Sequence, residues 1–401
     1  MGGALLGRAM DASANVNNLA TLTDLTNIQF TAGFVTEHPR GDVKVNGRRY
    51  DMDPGPFVLP GIMVAAPLPY GFAFGLGFSA EYGLGTDYGK GWGMNWNTVD
   101  TTVEGLVLNP NLAYKITDDW SVGVGVRWLY FSFEQEANPW AAQDGKSFGQ
   151  LENHLKGDND WKSVGWQIGT KYDILDNLSA GVVYKSAIDV EVKGDTRMKV
   201  KSYDYTLAPV MAAAYGIPLA YAQQQIRNQV DQAARDKNGD ASADLTLPQS
   251  VAAGLNWDAT DALHLGAMVS WTEWSKLDTL NFILNGSSNP RVLRWHDTWR
   301  AALGAAYDVS EDWTGMLSYV FDMDCTDRHQ TSAMLPPADR HIAACGLTWR
   351  CWRGLELTLS YSCIFMDGGS MSTTDARGRA YRLKTLEGFC HAGGFSVTYR
   401  F

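Results

Sequence analysis

The sequence predicts an all-β chain, a 14-stranded antiparallel transmembrane β-barrel with an N-terminal hatch and one helical extracellular loop. Three observations predict it. The chain carries 41 Gly, 15 Trp, 17 Tyr and 15 Phe but only 19% charged residues, and its mean hydropathy is still −0.21. Apolar residues are therefore dispersed rather than gathered into blocks. No apolar window is long enough for a membrane helix, and the nearest candidate, 207–222, is interrupted by Pro209, Gly216 and Pro218. Between its turns the chain alternates with period two, apolar on one face and small or polar on the other. A net charge of −11 argues against a nucleic-acid partner, and so many aromatics argue against disorder.

The elements follow in order. Residues 1–26 are small and polar without strand alternation. A barrel this wide is not filled by its own side chains, so this segment is expected to plug it, and residues 27–401 form the barrel. Strands are expected at 27–38, 57–66, 70–81, 102–117, 119–136, 160–175, 177–200, 243–257, 262–285, 292–308, 312–324, 339–351, 354–367 and 383–401. The fifth shows the pattern well, with Val122, Val124, Val126, Trp128 and Tyr130 opposite Ser121, Gly123, Gly125 and Arg127. An apolar exterior would aggregate in water, whereas lipid requires it when the lumen is polar.

Turns repeat a single unit: Tyr114-Lys-Ile-Thr-Asp-Asp-Trp120, Tyr172-Asp-Ile-Leu-Asp-Asn-Leu178, Trp257-Asp-Ala-Thr-Asp-Ala-Leu263 and Tyr307-Asp-Val-Ser-Glu-Asp-Trp313. Each is a tight polar turn flanked by residues that favour the membrane–water interface. The even strand count places six short turns on the periplasmic side and seven longer loops outside. Residues 203–241 have helical composition and form one of those loops. The opening Met-Gly-Gly-Ala-Leu-Leu-Gly-Arg carries no secretory signal. The five cysteines, Cys325, Cys345, Cys351, Cys363 and Cys390, lack metal-site spacing and read as small apolar fillers.

Certain segments resemble the FadL-type outer-membrane transporters of long-chain fatty acids and other hydrophobic compounds. They are 108–126 (Leu-Asn-Pro-Asn-Leu-Ala-Tyr-Lys-Ile-Thr-Asp-Asp-Trp-Ser-Val-Gly-Val-Gly-Val), Leu247-Pro-Gln-Ser-Val-Ala-Ala-Gly-Leu255, Trp271-Thr-Glu-Trp-Ser275, Trp295-His-Asp-Thr-Trp-Arg300, Leu335-Pro-Pro-Ala-Asp-Arg340 and the terminal Phe401. The resemblance implies a Gram-negative outer-membrane location, a monomer, no cofactor, and assembly through recognition of Phe401 by the barrel-assembly machinery. It further implies loop capture of ligand, binding in the lumen and exit through a lateral gap at a kinked third strand. The family's hatch carries Asn-Pro-Ala, and Asn18-Leu19-Ala20 stands in its place here.

Lys115, Arg127, Lys185 and Arg300 fall on inward faces and are candidates to neutralise a ligand carboxylate, because a buried anion needs a paired cation. Leu129, Phe131 and Phe133 on the fifth strand, with Trp274, Phe282 and Leu284 on the ninth, make the upper lumen apolar. A water-filled pore would not need that, so they are candidate ligand contacts. Gly75 and Gly77 face inward on the third strand and, with Asn18, Leu19 and Ala20, are the candidate gate. The seven histidines are scattered without metal spacing, and no Gly-x-Ser-x-Gly elbow occurs, so no enzyme and no metal are expected. The alternatives are a monoaromatic or alkane hydrocarbon transporter, a non-selective porin, and a barrel phospholipase using His391.

Overall fold

The computed structural model describes residues 1–401. Fourteen antiparallel strands close a barrel. They are β1 Gln29–Val45, β2 Phe57–Pro67, β3 Phe72–Asp87, β4 Asp100–Lys115, β5 Trp120–Ala137, β6 Ser163–Leu175, and β7 Leu178–Lys185 continued as Ile188–Tyr203. Then come β8 Gly239–Leu247 with Ser250–Asp258, β9 Leu263–Thr272 with Thr279–Leu284, and β10 Ser287–Val292 with Thr298–Asp308. The last four are β11 Trp313–Asp322, β12 Ala338–Trp352, β13 Leu355–Gly368 and β14 Gly388–Arg400. β14 pairs with β1 from Gln29↔Arg400 to Arg40↔Phe389, which closes the sheet on itself.

Period-two alternation gives each strand two faces, and closure turns one of them outward. Phe74, Val124, Trp166, Leu255, Leu303 and Leu359 are exposed there. Trp120 and Trp128 both project outward from β5. At a rise of about 3.3 Å per residue they lie about 26 Å apart along the strand, which at the roughly 40° tilt of barrel strands is about 20 Å of height, within the apolar band of about 25 Å. The indoles of Trp313 and Trp349 stack at 5.5 Å beside two of the short turns.

The strands extend further on the extracellular side than their alternation suggested. β1 reaches Val45 and turns into Arg48–Met52, and further hairpins form at Trp140–Gln143 with Lys146–Asp158 and at Ser370–Thr374 with Ala380–Thr385. The physical reason is a second core above the bilayer. Inward-facing Val43, Val45, Met371 and Leu383 pack with Tyr88, Trp92, Met94 and Trp96, so pairing continues where there is something to bury. β6 starts at Ser163 rather than 160. Asp160 and Trp161 have φ of 50° and 56°, and the Asn159 side chain takes over the backbone partners Phe131 N and Leu129 O, both at 2.9 Å. β8 is interrupted at Pro248, which has no amide to donate.

Two helical pieces lie at opposite ends. Helix α1 (Ala14–Asn17) and a 3-10 turn (Leu19–Asp24) lie against the inner wall, whereas α2 (Ala208–Tyr215) and α3 (Leu219–Asp236) occupy the long loop between β7 and β8. α3 buries Ala222, Ile226, Val230 and Ala234 at four-residue spacing, against Leu151 and Met198 below and α2 alongside.

Candidate functional site

Residues 1–25 run through the bore, and the wall makes room for them with glycine. A Cβ at Gly75 would meet Asn15, at Gly123 Leu19, at Gly169 Asn18, at Gly181 the Leu6 carbonyl, at Gly266 that of Ala4 and at Gly304 that of Met1. These glycines sit on β3, β5, β6, β7, β9 and β10, so a belt of missing side chains matches the path of the segment. Amides hold it in place: Asn18 Nδ2 donates to the carbonyls of Leu6 (2.6 Å) and Thr170 (3.0 Å), Asn15 Nδ2 to that of Val64 (2.9 Å), and Asn256 Nδ2 to that of Ala4 (2.8 Å). The Lys171 ammonium pairs with Asp24 at 2.5 Å. Asn18 Oδ1 also accepts from the Ala20 amide at 3.1 Å and caps the 3-10 turn.

Above this segment lies a cavity of about 460 Å³. Phe131, Phe133, Trp274, Phe282, Leu293 and Trp295 line it, and Met334 and Leu335 of the loop between β11 and β12 contribute from above. The rings interlock: Phe133 and Phe282 are 5.2 Å apart, and Trp274 and Trp295 meet edge-on at 5.4 Å. Cys325 also faces the cavity, where burial, and then the Asp324 charge, push its thiol up to about 12, so it stays a neutral wall atom.

Charge enters the cavity in two places, at Glu81 with Arg127 and Lys185, and at β10–β12, where Arg300 stands near Asp324 and the Arg340–Asp322 pair (3.5 Å). Glu81 Oε2 accepts from Arg127 at 2.8 Å and from Lys185 at 3.1 Å, and Arg127 also donates to the Tyr82 hydroxyl (2.9 Å) and the Ser186 carbonyl (3.2 Å). Two cations thus share one carboxylate, and Arg127 is 1% exposed. Arg300 lines the same cavity, forms no ion pair, and has a buried Nε without a hydrogen-bond partner. Nearer the outside, Lys237 donates to Asn289 at 2.8 Å beside the half-buried Arg291, and no carboxylate pairs with either. Burial, and then the Arg291 charge, push Lys237 down from its usual range.

Glu81 also marks a break in the wall. The β3–β4 register slips between Ala80 and Tyr82, leaving Glu81 as the extra residue of a β-bulge. The slip exchanges the faces of β3, so Tyr82 and Leu84 reach the cavity. Pairing between β2 and β3 stops at Gly61↔Ser79, whereas β1–β2 pairing runs on to Phe57 and β3–β4 pairing to Asp87. Beyond Gly61↔Ser79, the end of β3 is next met by the connection before β2, where Asp53 N donates to Asp87 O at 3.0 Å. Between these points is a window in the ladder with cavity-lining residues 81–84 along one side, and the Phe57 ring packs against Gly85 within it.

Below, against β8–β14, lies a second cavity of about 580 Å³ with a polar lining that includes Asp258, His264, Asp308, Arg350, Glu356 and Arg400. His264 bridges Asp258 (2.6 Å) and Asp308 (3.2 Å), and Arg8 pairs with Asp258. An apolar cluster of Ala302 and Val320, flanked by Met268 and Ile342 and including Ala4, lies between the two compartments.

The residues singled out from sequence fall as follows. Arg127, Phe131, Phe133, Trp274, Phe282 and Arg300 line the upper cavity together, with Trp274 in a short 3-10 turn between the halves of β9 rather than on a strand. Leu129 is fully buried in the surrounding apolar cluster without lining the cavity. Lys115 is misplaced: it is exposed at the periplasmic end of β4 and pairs with Asp118 at 3.5 Å, because the inward face ends where the strand leaves the bilayer. Gly75 and Gly77 lie beside Asn15, whereas the irregularity of β3 is at Glu81. His391 meets the hydroxyl of Tyr361 at 2.8 Å on the outer wall. Sequence reasoning missed Glu81, Tyr82, Phe57 and Trp295. The available signal for the first was a single acid in the otherwise uncharged run Phe72–Tyr82.

The whole chain, residues 1–401, matches the family described as outer membrane protein transport protein (OMPP1/FadL/TodX). It is 24% identical to the long-chain fatty acid transport protein of Escherichia coli O6:H1, with 98% of this chain and 90% of that protein covered. It is 25% identical to outer membrane protein P1 of Haemophilus influenzae over 78% of this chain and 66% of that protein. The fold matches a Pseudomonas aeruginosa FadL homologue with a TM-score of 0.80 at 22% identity, covering 100% of this chain and 98% of the other. It also matches the Pseudomonas putida toluene transporter TodX with a TM-score of 0.71 at 18% identity, covering 99% and 95%. With a closed barrel, an apolar exterior and a full-length family match in agreement, the chain belongs to the FadL/TodX family of outer-membrane transport proteins.

Proposed function

We propose that this outer-membrane transport protein takes up long-chain fatty acids by passive diffusion, through capture at the extracellular loops, binding in the upper lumen and lateral escape through the β2–β3 window. The observation that carries the reading is an apolar cavity whose wall includes both an unpaired cation, Arg300, and the side of a break in the barrel. Each methylene moved from water into the cavity is worth about 0.8 kcal/mol, so no energy source is needed. The exposed Val210, Tyr215, Leu219 and Tyr221 on the α2–α3 loop offer a first apolar contact, and the Lys237–Arg291 pair offers charge for a carboxylate. Residues 1–26 act as the hatch, since they stand between the cavity and the periplasmic side.

Lateral exit fits the molecule better than axial exit. A hydrocarbon leaving downward would cross the polar compartment around His264 and Glu356 and lose its apolar contacts, whereas the window leads from the cavity to lipid. A non-selective porin is disfavoured by the same interposed segment. Transport of neutral hydrocarbons is the second reading, favoured by the aromatic side chains of Tyr82, Phe131, Phe133, Trp274, Phe282 and Trp295 around the cavity.

Arg300→Ala separates the two. A carboxylate that completes the guanidinium forms a charged hydrogen bond worth about 1.5–3 kcal/mol, so fatty acid affinity should fall roughly 10- to 150-fold. Toluene binding to the same variant should stay within about twofold by the same reasoning. Equal losses for both ligands, measured by calorimetry on the purified protein, would remove the carboxylate role of Arg300.

A further inference from the structure

Two short stretches far apart in the chain are strongly basic, Lys44-Val-Asn-Gly-Arg-Arg49 and Arg377-Gly-Arg-Ala-Tyr-Arg-Leu-Lys384. The fold makes them neighbours. Lys44 stands directly opposite Lys384 on one side and Arg49 on the other, and the Arg382 amide donates to Asn46 Oδ1 at 2.9 Å. Lys44, Arg48, Arg49, Arg379, Arg382 and Lys384 are all exposed. Asp42, which pairs with Arg49, its cross-strand neighbour Asp51, the buried Asp375, which takes Arg377, and Glu387 offset only part of this charge. Like charges directly opposed across strands destabilise a sheet unless something neutralises them. In a chain of net charge −11 this excess of base is local.

Its height and direction identify the partner. Lys44 and Lys384 continue the outward alternation of the wall, whose inward neighbours Val45 and Leu383 are buried. Going up β1 on that face, Phe30 and Phe34 are exposed apolar residues, and His38 follows, opposite His391 of β14. The Tyr361–His391 and Tyr319–His341 pairs (2.8 and 2.7 Å) mark the same level, where an apolar belt gives way to polar groups. Lys44 lies six residues further on, about 20 Å along the strand. A cationic face there meets the saccharide layer of the outer leaflet, not its acyl chains. Asp53, which takes His38 and Arg40, keeps the intervening stretch close to neutral.

We propose that this basic face docks the anionic inner saccharide of lipopolysaccharide, through its phosphate and carboxylate groups. The protein thereby holds a glycolipid beside the β1–β14 seam, next to β2 and the window. Cationic side chains near an anionic lipid surface contribute about a factor of five in affinity each.

The test uses the full-length protein in nanodiscs of neutral phospholipid, titrated with purified lipopolysaccharide and free of hydrophobic ligand, so its outcome is independent of the transport reading. Lys44→Ala/Arg382→Ala/Lys384→Ala should weaken binding roughly 100-fold. Lys44→Arg/Lys384→Arg should bind as the parent does, and enzymatically dephosphorylated lipopolysaccharide should bind the parent several-fold more weakly. Should the triple variant fail the heat-modifiable mobility test of barrel folding, Arg379→Ala/Arg382→Ala provides the same comparison with two cations removed. Undiminished binding by the folded variant overturns the proposal, as does equal binding of the dephosphorylated glycolipid.

Discussion

Asp375 illustrates how a single side chain organises an extracellular loop. Its side chain is fully buried at the turn between Ser370–Thr374 and Ala380–Thr385, and accepts from the amides of Arg377 (2.9 Å) and Arg379 (3.0 Å), from the Arg377 guanidinium (2.7 Å) and from the Tyr381 hydroxyl (3.2 Å). Burial alone would raise its pKa, but these donors outweigh it and hold the carboxyl below its usual value. A depressed folded-state pKa contributes stability that is complete above the unfolded value of about 3.9 and disappears as pH falls through the folded one. The Arg377 and Arg379 amides should therefore lose hydrogen-exchange protection only below about pH 4. In Asp375→Asn they should be less protected at neutral pH and show little further change on acidification. A parent profile that is flat from pH 6 to pH 3 would contradict this account. Arg377 gains a second tie by lying 3.6 Å over the Trp140 ring, so the turn is also pinned to the neighbouring hairpin.

At the scale of elements, the window is the part to perturb. Phe57 is the side chain packed into it, against Gly85. Phe57→Ala should speed fatty acid uptake into cells or leave it unchanged, whereas Gly83→Trp, on the bulged strand beside the cavity, should slow uptake about tenfold or more while ligand still binds. Normal uptake by a folded Gly83→Trp protein would exclude the window as the exit. Gly75→Leu cannot make this distinction, because its side chain would displace Asn15. The wall itself was legible because each strand obeys one rule, alternation against lipid, and because Tyr and Trp mark the turns. The bulge was not legible, since a register slip depends on the partner strand: Glu81 is an extra residue only by reference to Leu106 and Gly105 on β4. The extracellular hairpins were missed for a related reason. Val43, Val45, Met371 and Leu383 alternate over too few residues to stand out until Trp92 and Met94 cover them. Arg127 and Arg300 were both read as inward cations, but sequence had no means of showing that Glu81 occupies one and leaves the other free.

Across the whole molecule, the bore is divided into an apolar chamber above and a polar one below, and Ala4 helps to stopper the junction. It is fully buried against Ala302 and Val320, with Gly266 leaving room for its carbonyl. Removing residues 1–4 should join the chambers and admit water through the junction. Small sugars should then swell liposomes containing the variant several-fold faster than those containing the parent. Fatty acid uptake should change little, because a ligand that escapes sideways never meets the junction, and a wet passage lined by Asp258, Asp308 and Glu356 offers an alkyl chain none of the roughly 25 cal/mol per Å² it gains from apolar contact. The opposite pattern, faster fatty acid uptake without sugar entry, would mean that ligand passes the junction directly and that the polar chamber is a route rather than a barrier. Sugar permeation by the intact chain would mean that the segment does not seal the bore at all. The two cargo classes together therefore report which of the two exits the ligand takes.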